Sequence, residues 1–370
     1  MTWTRPLAVL VTALCLPLAA RAGEEQANPD QAVADTVERL GGGVMRMTAL
    51  PGKPVTGVFL MGPEFTDDVV RSLNLASLKR LSCVEADAKV RLTRAGIREI
   101  CKPKQLRDVS FRRITDAELK ELADLKQLES LVLADSQVTD AGMKELKGFT
   151  QLEYLCLART RVTDAGLQEL KGFPKLTYLW LSDTPVTGAG LKDLKQLRIV
   201  MLDRTRVTDA ELKDLGELKE LRELWLTDTR VTDAGLKELK ELPHLRFLDI
   251  SGTAVTDAGL KELKGYCGVE VLSLNRTAVT DDGLKELREF GQLKVLELDN
   301  TAVTDRGLRE IKELKQLTTL TLRNTRVTPE GLKEIKGLKK MEMLLLQGTE
   351  MTPEAIAELK QAMPNARIEW

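Results

Sequence analysis

Histidine occurs once in 370 residues and cysteine five times. The chain therefore has almost none of the residue that most often serves as an acid–base group or metal ligand near neutral pH. His244 stands in a Glu-Leu-Pro-His-Leu stretch between a helix pattern and a strand pattern, a solvated loop position. The cysteines are too few and too irregularly spaced for a disulfide scaffold, and no CxxC pair occurs. A Cys83–Cys101 bridge stays open in an oxidising compartment, while Cys156 and Cys267 read as small apolar residues. Aromatics make up 4% of the chain, so leucine must supply the core. A net charge of −1 excludes a broad basic field for nucleic acid or anionic lipid. No nucleophile elbow, phosphate loop, zinc spacing or HExxH pattern appears. The expectation is a chain with no catalysis, cofactor or metal.

Long apolar runs are also missing, with one exception. Arg5 precedes an apolar run from Pro6 to Ala20, and Ala20-Arg21-Ala22 gives a small-x-small cleavage pattern. The run is too short for a membrane anchor. Leu14 before Cys15 argues against lipid attachment there, because a small residue is needed. Residues 1–22 are expected to be an export signal, and its loss would shift net charge from −1 to −3, since Arg5 and Arg21 leave with no acid. An exported protein, periplasmic or extracellular and not inserted in a membrane, is the expectation.

What the chain does have is one phrase said many times. Val-Thr-Asp-Ala-Gly-Leu-x-x-Leu recurs from Val138, Val162, Val186, Val207, Val231, Val255, Val279, Val303, Val327 and Met351. The frame extends upstream to Ile114 and, more loosely, to Leu92 and Phe65. A period of about 24 residues with an L-x-x-L-x-L core marks a repeat architecture. Within a unit, Leu179 and Leu181 alternate with Tyr178 and Trp180, as a half-buried strand requires. A polar turn follows, then a helix whose leucines fall three apart, such as Leu236 and Leu239. Pro329 and Pro353 stand where other units have Asp, and Pro favours the first helical position, so Thr328 and Thr352 are the expected N-caps.

The run L-x-x-L-x-L-x-x-T-x-V-T-D-x-G-L-x-x-L closely resembles the cysteine-containing class of leucine-rich repeats, with Thr where that class has Cys. The resemblance covers roughly residues 55–370. With the export signal, it also resembles repeat proteins abundant in planctomycete-type bacteria. It implies an α/β leucine-rich-repeat solenoid: a curved horseshoe of about thirteen repeats, with a parallel concave sheet and convex helices. The expected organisation is a signal at 1–22, a flexible lead and N-terminal cap at 23–60, and the solenoid at 61–370. Pro29–Leu40 should be the cap helix, with two strands at Val44–Met47 and Val55–Leu60. Eukaryotic members of the class often stand behind an F-box, which has no counterpart in this sequence, so that role is not carried over.

Three columns invite chemistry and have plainer readings. Asp116, Asp140, Asp164, Asp209, Asp233, Asp257, Asp281 and Asp305 could form a carboxylate ladder, but first-turn acids complement the helix dipole. Thr160, Thr184 and their equivalents are expected to satisfy backbone groups of the adjacent coil. The glycines near each helix start, such as Gly142 and Gly166, are expected to allow close backbone approach.

The informative positions are those the repeat does not dictate. Strand side chains that leave the core line the concave face. Two of three Tyr, two of four Trp and one of seven Phe fall there, as Tyr154, Tyr178, Trp180, Trp225 and Phe247, with Ile199 and Met201 between them. Coils about 4.8 Å apart would spread this strip over about 20 Å. An exposed aromatic patch points to binding. Tyr154, Tyr178, Trp180, Ile199, Met201, Trp225, Phe247 and Asp249 are the candidate residues for a protein or peptide partner. Asp249, Glu297 and Asp299 suggest a partner with an apolar knob and a basic flank. A sugar ligand on the stacked rings, or a structural envelope role through self-association of the C-terminal edge, are the alternatives.

Overall fold

The computed structural model describes residues 28–264 and 268–370. The expected export segment, Cys15 and Cys267 lie outside them. Asn28 caps α1 (Pro29–Arg39), its side chain accepting from the Asp30 amide, and Val33, Ala34 and Val37 form the buried face. β1 (Gly43–Arg46) and β2 (Val55–Leu60) follow as an antiparallel pair. Parallel pairing then continues through β3 (Cys83–Ala86), β4 (Asp108–Ser110), β5 (Ser130–Val132), β6 (Tyr154–Cys156), β7 (Tyr178–Trp180) and β8 (Ile199–Met201). It runs on through β9 (Glu223–Trp225), β10 (Phe247–Asp249), β11 (Val271–Ser273), β12 (Val295–Glu297), β13 (Thr319–Thr321), β14 (Met343–Leu345) and β15 (Arg367–Glu369). Strand order in this 15-stranded sheet is sequence order, the topology of a solenoid.

One coil shows how the sequence builds all of them. β9 sends Leu224 into the core, and Leu226 follows it, both fully buried. Asp228 then takes a left-handed backbone (φ 55°), which turns Thr229 back over its own coil. The Thr229 hydroxyl donates to the Leu226 carbonyl at 2.7 Å. The threonine column thus closes the turn of its own coil rather than serving its neighbour, the reverse of the expectation. Thr232 caps the short helix Asp233–Leu236, which tightens into a 3₁₀ segment, Lys237–Glu241, burying Leu236 and Leu239. Stacked coils merge these leucines into one core that runs from Val33 to Met363.

The aspartate column turns out to be the mortar between coils. The Thr232 amide and hydroxyl donate to the two oxygens of Asp209 in the preceding coil, at 2.8 and 2.6 Å. The same bridge recurs at Thr139 to Asp116, Thr163 to Asp140, Thr256 to Asp233, Thr280 to Asp257, Thr304 to Asp281 and Thr328 to Asp305. A Cβ on Gly235 would collide with that Asp209 carboxylate, so glycine is needed for close approach. Where the preceding coil has Arg94 or Gly188 in place of Asp, the glycine is replaced by Glu118 or Glu211. Each glutamate then forms a capping box, accepting from the amide and hydroxyl of Thr115 or Thr208 in its own coil.

The unit starting at Val186 is three residues shorter than its neighbours, and its convex side carries only a 3₁₀ turn, Leu191–Asp193. Cys83, Cys101 and Cys156 are free and buried. Cys83 opens β3 and Cys101 ends the helix Arg94–Ile100 across the coil, so the bridge left open by the sequence does not form. Burial pushes both thiols up to about 12. Among the described residues no helix is long and apolar enough to cross a membrane.

Candidate functional site

β6 to β10 carry the aromatic strip, and the parallel register fixes which side chains meet. Tyr154 and Tyr178 are register partners, with ring centroids 4.4 Å apart and planes tilted by 37°. Phe247 is opposite Glu223 but leans diagonally onto Trp225, stacking at 4.1 Å and 26°. Between these pairs, Ile199 and Met201 occupy β8, and the Tyr178 hydroxyl lies 3.0 Å from the Met201 sulfur. Burial raises both tyrosine hydroxyls above their ordinary range.

Trp180 is seated with more care. Its ring packs over a small buried cluster of Ala134, Cys156 and Ala158. Its indole N–H donates to the Ser182 hydroxyl at 2.7 Å, which donates to Asp203 at 2.8 Å. The other Asp203 oxygen accepts from the Thr227 amide at 3.1 Å. Burial raises the Asp203 carboxyl, and the Ser182 bond opposes that shift. Ser182 and Asp203 escape pattern reading. They occupy the third outward position of each strand, after its second core residue and beyond the two positions that the leucine alternation marks. Trp225 is less well served: its indole N–H is covered and has no acceptor in hydrogen-bond geometry, with the half-buried Glu223 carboxylate the polar group beside it.

The rings are half-buried, not exposed as the sequence suggested. Neighbouring coils approach closely enough for Tyr154 and Tyr178, and Trp225 and Phe247, to cover one another, with Ile199 and Met201 between the two groups on the concave floor. Among the described residues the exposed large hydrophobics are Met45, Met61 and Trp370, all away from it. Asp249 also departs from expectation. It is 9% exposed, its carboxylate accepts from the Ser251 amide at 2.9 Å, and burial raises its carboxyl. It belongs to the wall of the floor and offers no free charge.

The expected acidic flank is closed in the same way. Glu297 accepts from Ser273 at 2.9 Å and from Asn275 at 2.8 Å, and burial raises its carboxyl. Asp299 accepts from the Arg323 amide and pairs with its guanidinium at 3.1 Å. Downstream of Phe247 the concave polar groups largely satisfy one another. Among the described residues no group of three or more His, Cys, Asp or Glu is arranged to hold a metal.

A leucine-rich-repeat family model matches residues 241–264, one coil of the array. An internalin from Listeria monocytogenes has a similar structure, with a TM-score of 0.62 at 18% identity, covering 93% of this chain and 94% of that one. The fold is a leucine-rich-repeat solenoid. A leucine-rich-repeat protein from Leptospira interrogans is also similar, with a TM-score of 0.54 at 19% identity over 95% of this chain and 100% of that one. No curated protein matches the sequence. Solenoids of this kind present extended concave surfaces for binding, and no catalytic family is indicated by these likenesses.

Proposed function

We propose that this solenoid is a non-catalytic module of an exported protein, periplasmic or extracellular, that binds a protein or peptide on its concave floor. The observation that carries the reading is the aromatic strip Tyr154, Tyr178, Trp180, Trp225 and Phe247, two ring pairs and Trp180 flanking Ile199 and Met201 of β8. Rigid, half-buried aromatics lose little conformational freedom on association, and Tyr and Trp are the residues most enriched at binding hot spots. The partner would lay apolar or aromatic side chains on the floor, with Ile199 and Met201 as the adaptable centre. Residues 1–22 would direct export.

The test compares the full chain with a Trp180→Asp/Trp225→Asp variant and a convex-face control, Lys213→Asp, each required to give the wild-type circular-dichroism spectrum. Proteins retained from secreted and envelope fractions by wild type and control, but not by the double variant, support the concave reading. Equal retention by all three overturns it. If the double variant misfolds, Phe247→Ala serves in its place. An alanine at a hot spot costs about 2 kcal/mol or more of binding free energy.

A further inference from the structure

We infer that the segment bound on the floor is an acidic peptide, held by a column of three arginines along one edge of the rings. The proposal rests on the concave reading above and names the partner's chemistry. Arg198, Arg222 and Arg246 each stand one residue before a floor position, Ile199, Glu223 and Phe247. The coils are locked in step by backbone bonds from the Arg222 and Arg246 amides to the carbonyls of Arg198 and Arg222, at 2.7 and 2.8 Å. All three side chains are exposed. Strand spacing puts their Cα atoms about 4.8 Å apart, so like charges are stacked with nothing between them, an arrangement that costs stability.

Among the described residues the fold leaves two of these arginines unanswered, as it does the loop arginines Arg206 and Arg230, and what sets Arg198 and Arg222 apart is their place beside the rings. Arg246 donates to the Gly268 carbonyl at 2.9 Å and lies 3.7 Å from Glu270. Arg198 and Arg222 have no ion pair or side-chain hydrogen bond among the described residues. Glu220, two residues before Arg222, is exposed but within ion-pair distance of no cation there. Elsewhere on this rim some charges meet their opposites, as Arg107 does Glu129 and Lys294 does Glu270, while Glu153 stands unpaired among the described residues, four strands from Arg246.

The carboxylates on the other side of the rings are spoken for. Asp203, Asp249 and Glu297 are occupied by Ser182 and Thr227, by Ser251, and by Ser273 and Asn275. The exposed unpaired charges next to β8 and β9 are thus Arg198 and Arg222, with the half-buried Glu223 among the rings, and the carboxylates from which the sequence suggested a basic flank for the partner are already occupied. A nucleic acid fits poorly. Its continuous phosphate charge would meet the unpaired Glu153 on the same rim and Glu223 on the floor, which the spaced carboxylates of a peptide can avoid. An acidic peptide whose aromatic or apolar side chains alternate with carboxylates matches both columns at once.

The probes are a dye-labelled random Glu/Tyr copolymer, a Lys/Tyr copolymer of equal length and oligo-dT, likewise labelled, with binding to the full chain read by fluorescence anisotropy of the label. The Glu/Tyr copolymer should bind at least about ten-fold tighter than Lys/Tyr and weaken as salt rises. Arg198→Glu/Arg222→Glu should abolish or invert that preference. Arg206→Glu/Arg230→Glu, the same charge change on exposed loop arginines away from the floor, should leave it unchanged. Preference for Lys/Tyr or oligo-dT, or equal loss in the two arginine variants, overturns the proposal. If the acidic preference fails while Trp180→Asp/Trp225→Asp still abolishes copolymer binding, only the arginine column falls. If the tryptophan variant changes nothing, the concave reading falls with it.

Discussion

At the scale of single residues, the junctions up to Thr328 each draw on one of two carboxylates. An aspartate from the coil before, or a glutamate within the coil, can take the amide and hydroxyl of the capping threonine, but the two would compete for one space. The glycine after each bridging aspartate, as at Gly235 after Asp209, keeps that space clear. Gly235→Ala should therefore destabilise the chain by about 1–3 kcal/mol, the usual cost of overpacking. Asp209→Ala combined with Gly235→Glu should cost less than the sum of the two single changes, because the introduced glutamate can rebuild at Thr232 the box seen at Thr208. Urea unfolding of wild type, the two single variants and the double variant measures the coupling, and simple additivity would contradict the exchange.

At the scale of elements, the strand and helix positions were legible because two periods alternate within each unit. Leu179 and Leu181 announce a strand, Leu236 and Leu239 a helix, and Pro353 marks where the last cap must stand. The use of the aspartates was not legible, since a dipole partner and a bridge to the next coil look identical along one chain. Burial of the rings and of Asp249 was equally hidden, because it depends on how closely neighbouring coils approach. The short unit was visible as a missing three residues, with Gly188 in the aspartate column, but its loss of α-helix shows only in the fold. That unit should open locally more often than those beside it. Hydrogen exchange should be faster for the amides of Leu191 and Leu194 than for those of Leu212 and Leu215, which lie in or end a full helical turn. Equal protection would show that packing against the neighbours suffices.

At the scale of the whole molecule, the concave face stores carboxyls in an environment that disfavours their charge. Burial raises Asp203, Glu223, Asp249 and Glu297, and it pushes Asp108 up to about 6, with Glu129 and Glu85 adding to the effect. A carboxyl raised in the folded state weakens the fold once ionised, so stability should increase as pH falls from about 7.5 to about 5. Below about pH 4 the sign reverses. Glu121, held at about 2 by Arg98 and Arg94, and Asp135 and Asp183, held low by Arg159 and Arg204, lose their bonds on protonation. Melting temperature across this range should pass through a maximum in mild acid, and Asp108→Asn should flatten its neutral limb. A monotonic fall from neutral pH downward would show that the buried acids do not govern stability.

The two kinds of junction also limit how such an array can be rearranged. A coil with the aspartate is followed by one carrying glycine, and the coils with Arg94 or Gly188 in its place are followed by ones that cap themselves, at Thr115 and Thr208. The final coil, after Pro329, has neither device. Units are therefore not freely interchangeable, despite their near-identical wording. Duplicating or deleting whole coils within the run from Val231 to Val303 preserves the matching of neighbours, whereas a splice across the short unit leaves one threonine with two carboxylates or none. Lengthening this solenoid by copying its own parts has a grammar, and the segment next to the aromatic floor is where that grammar changes.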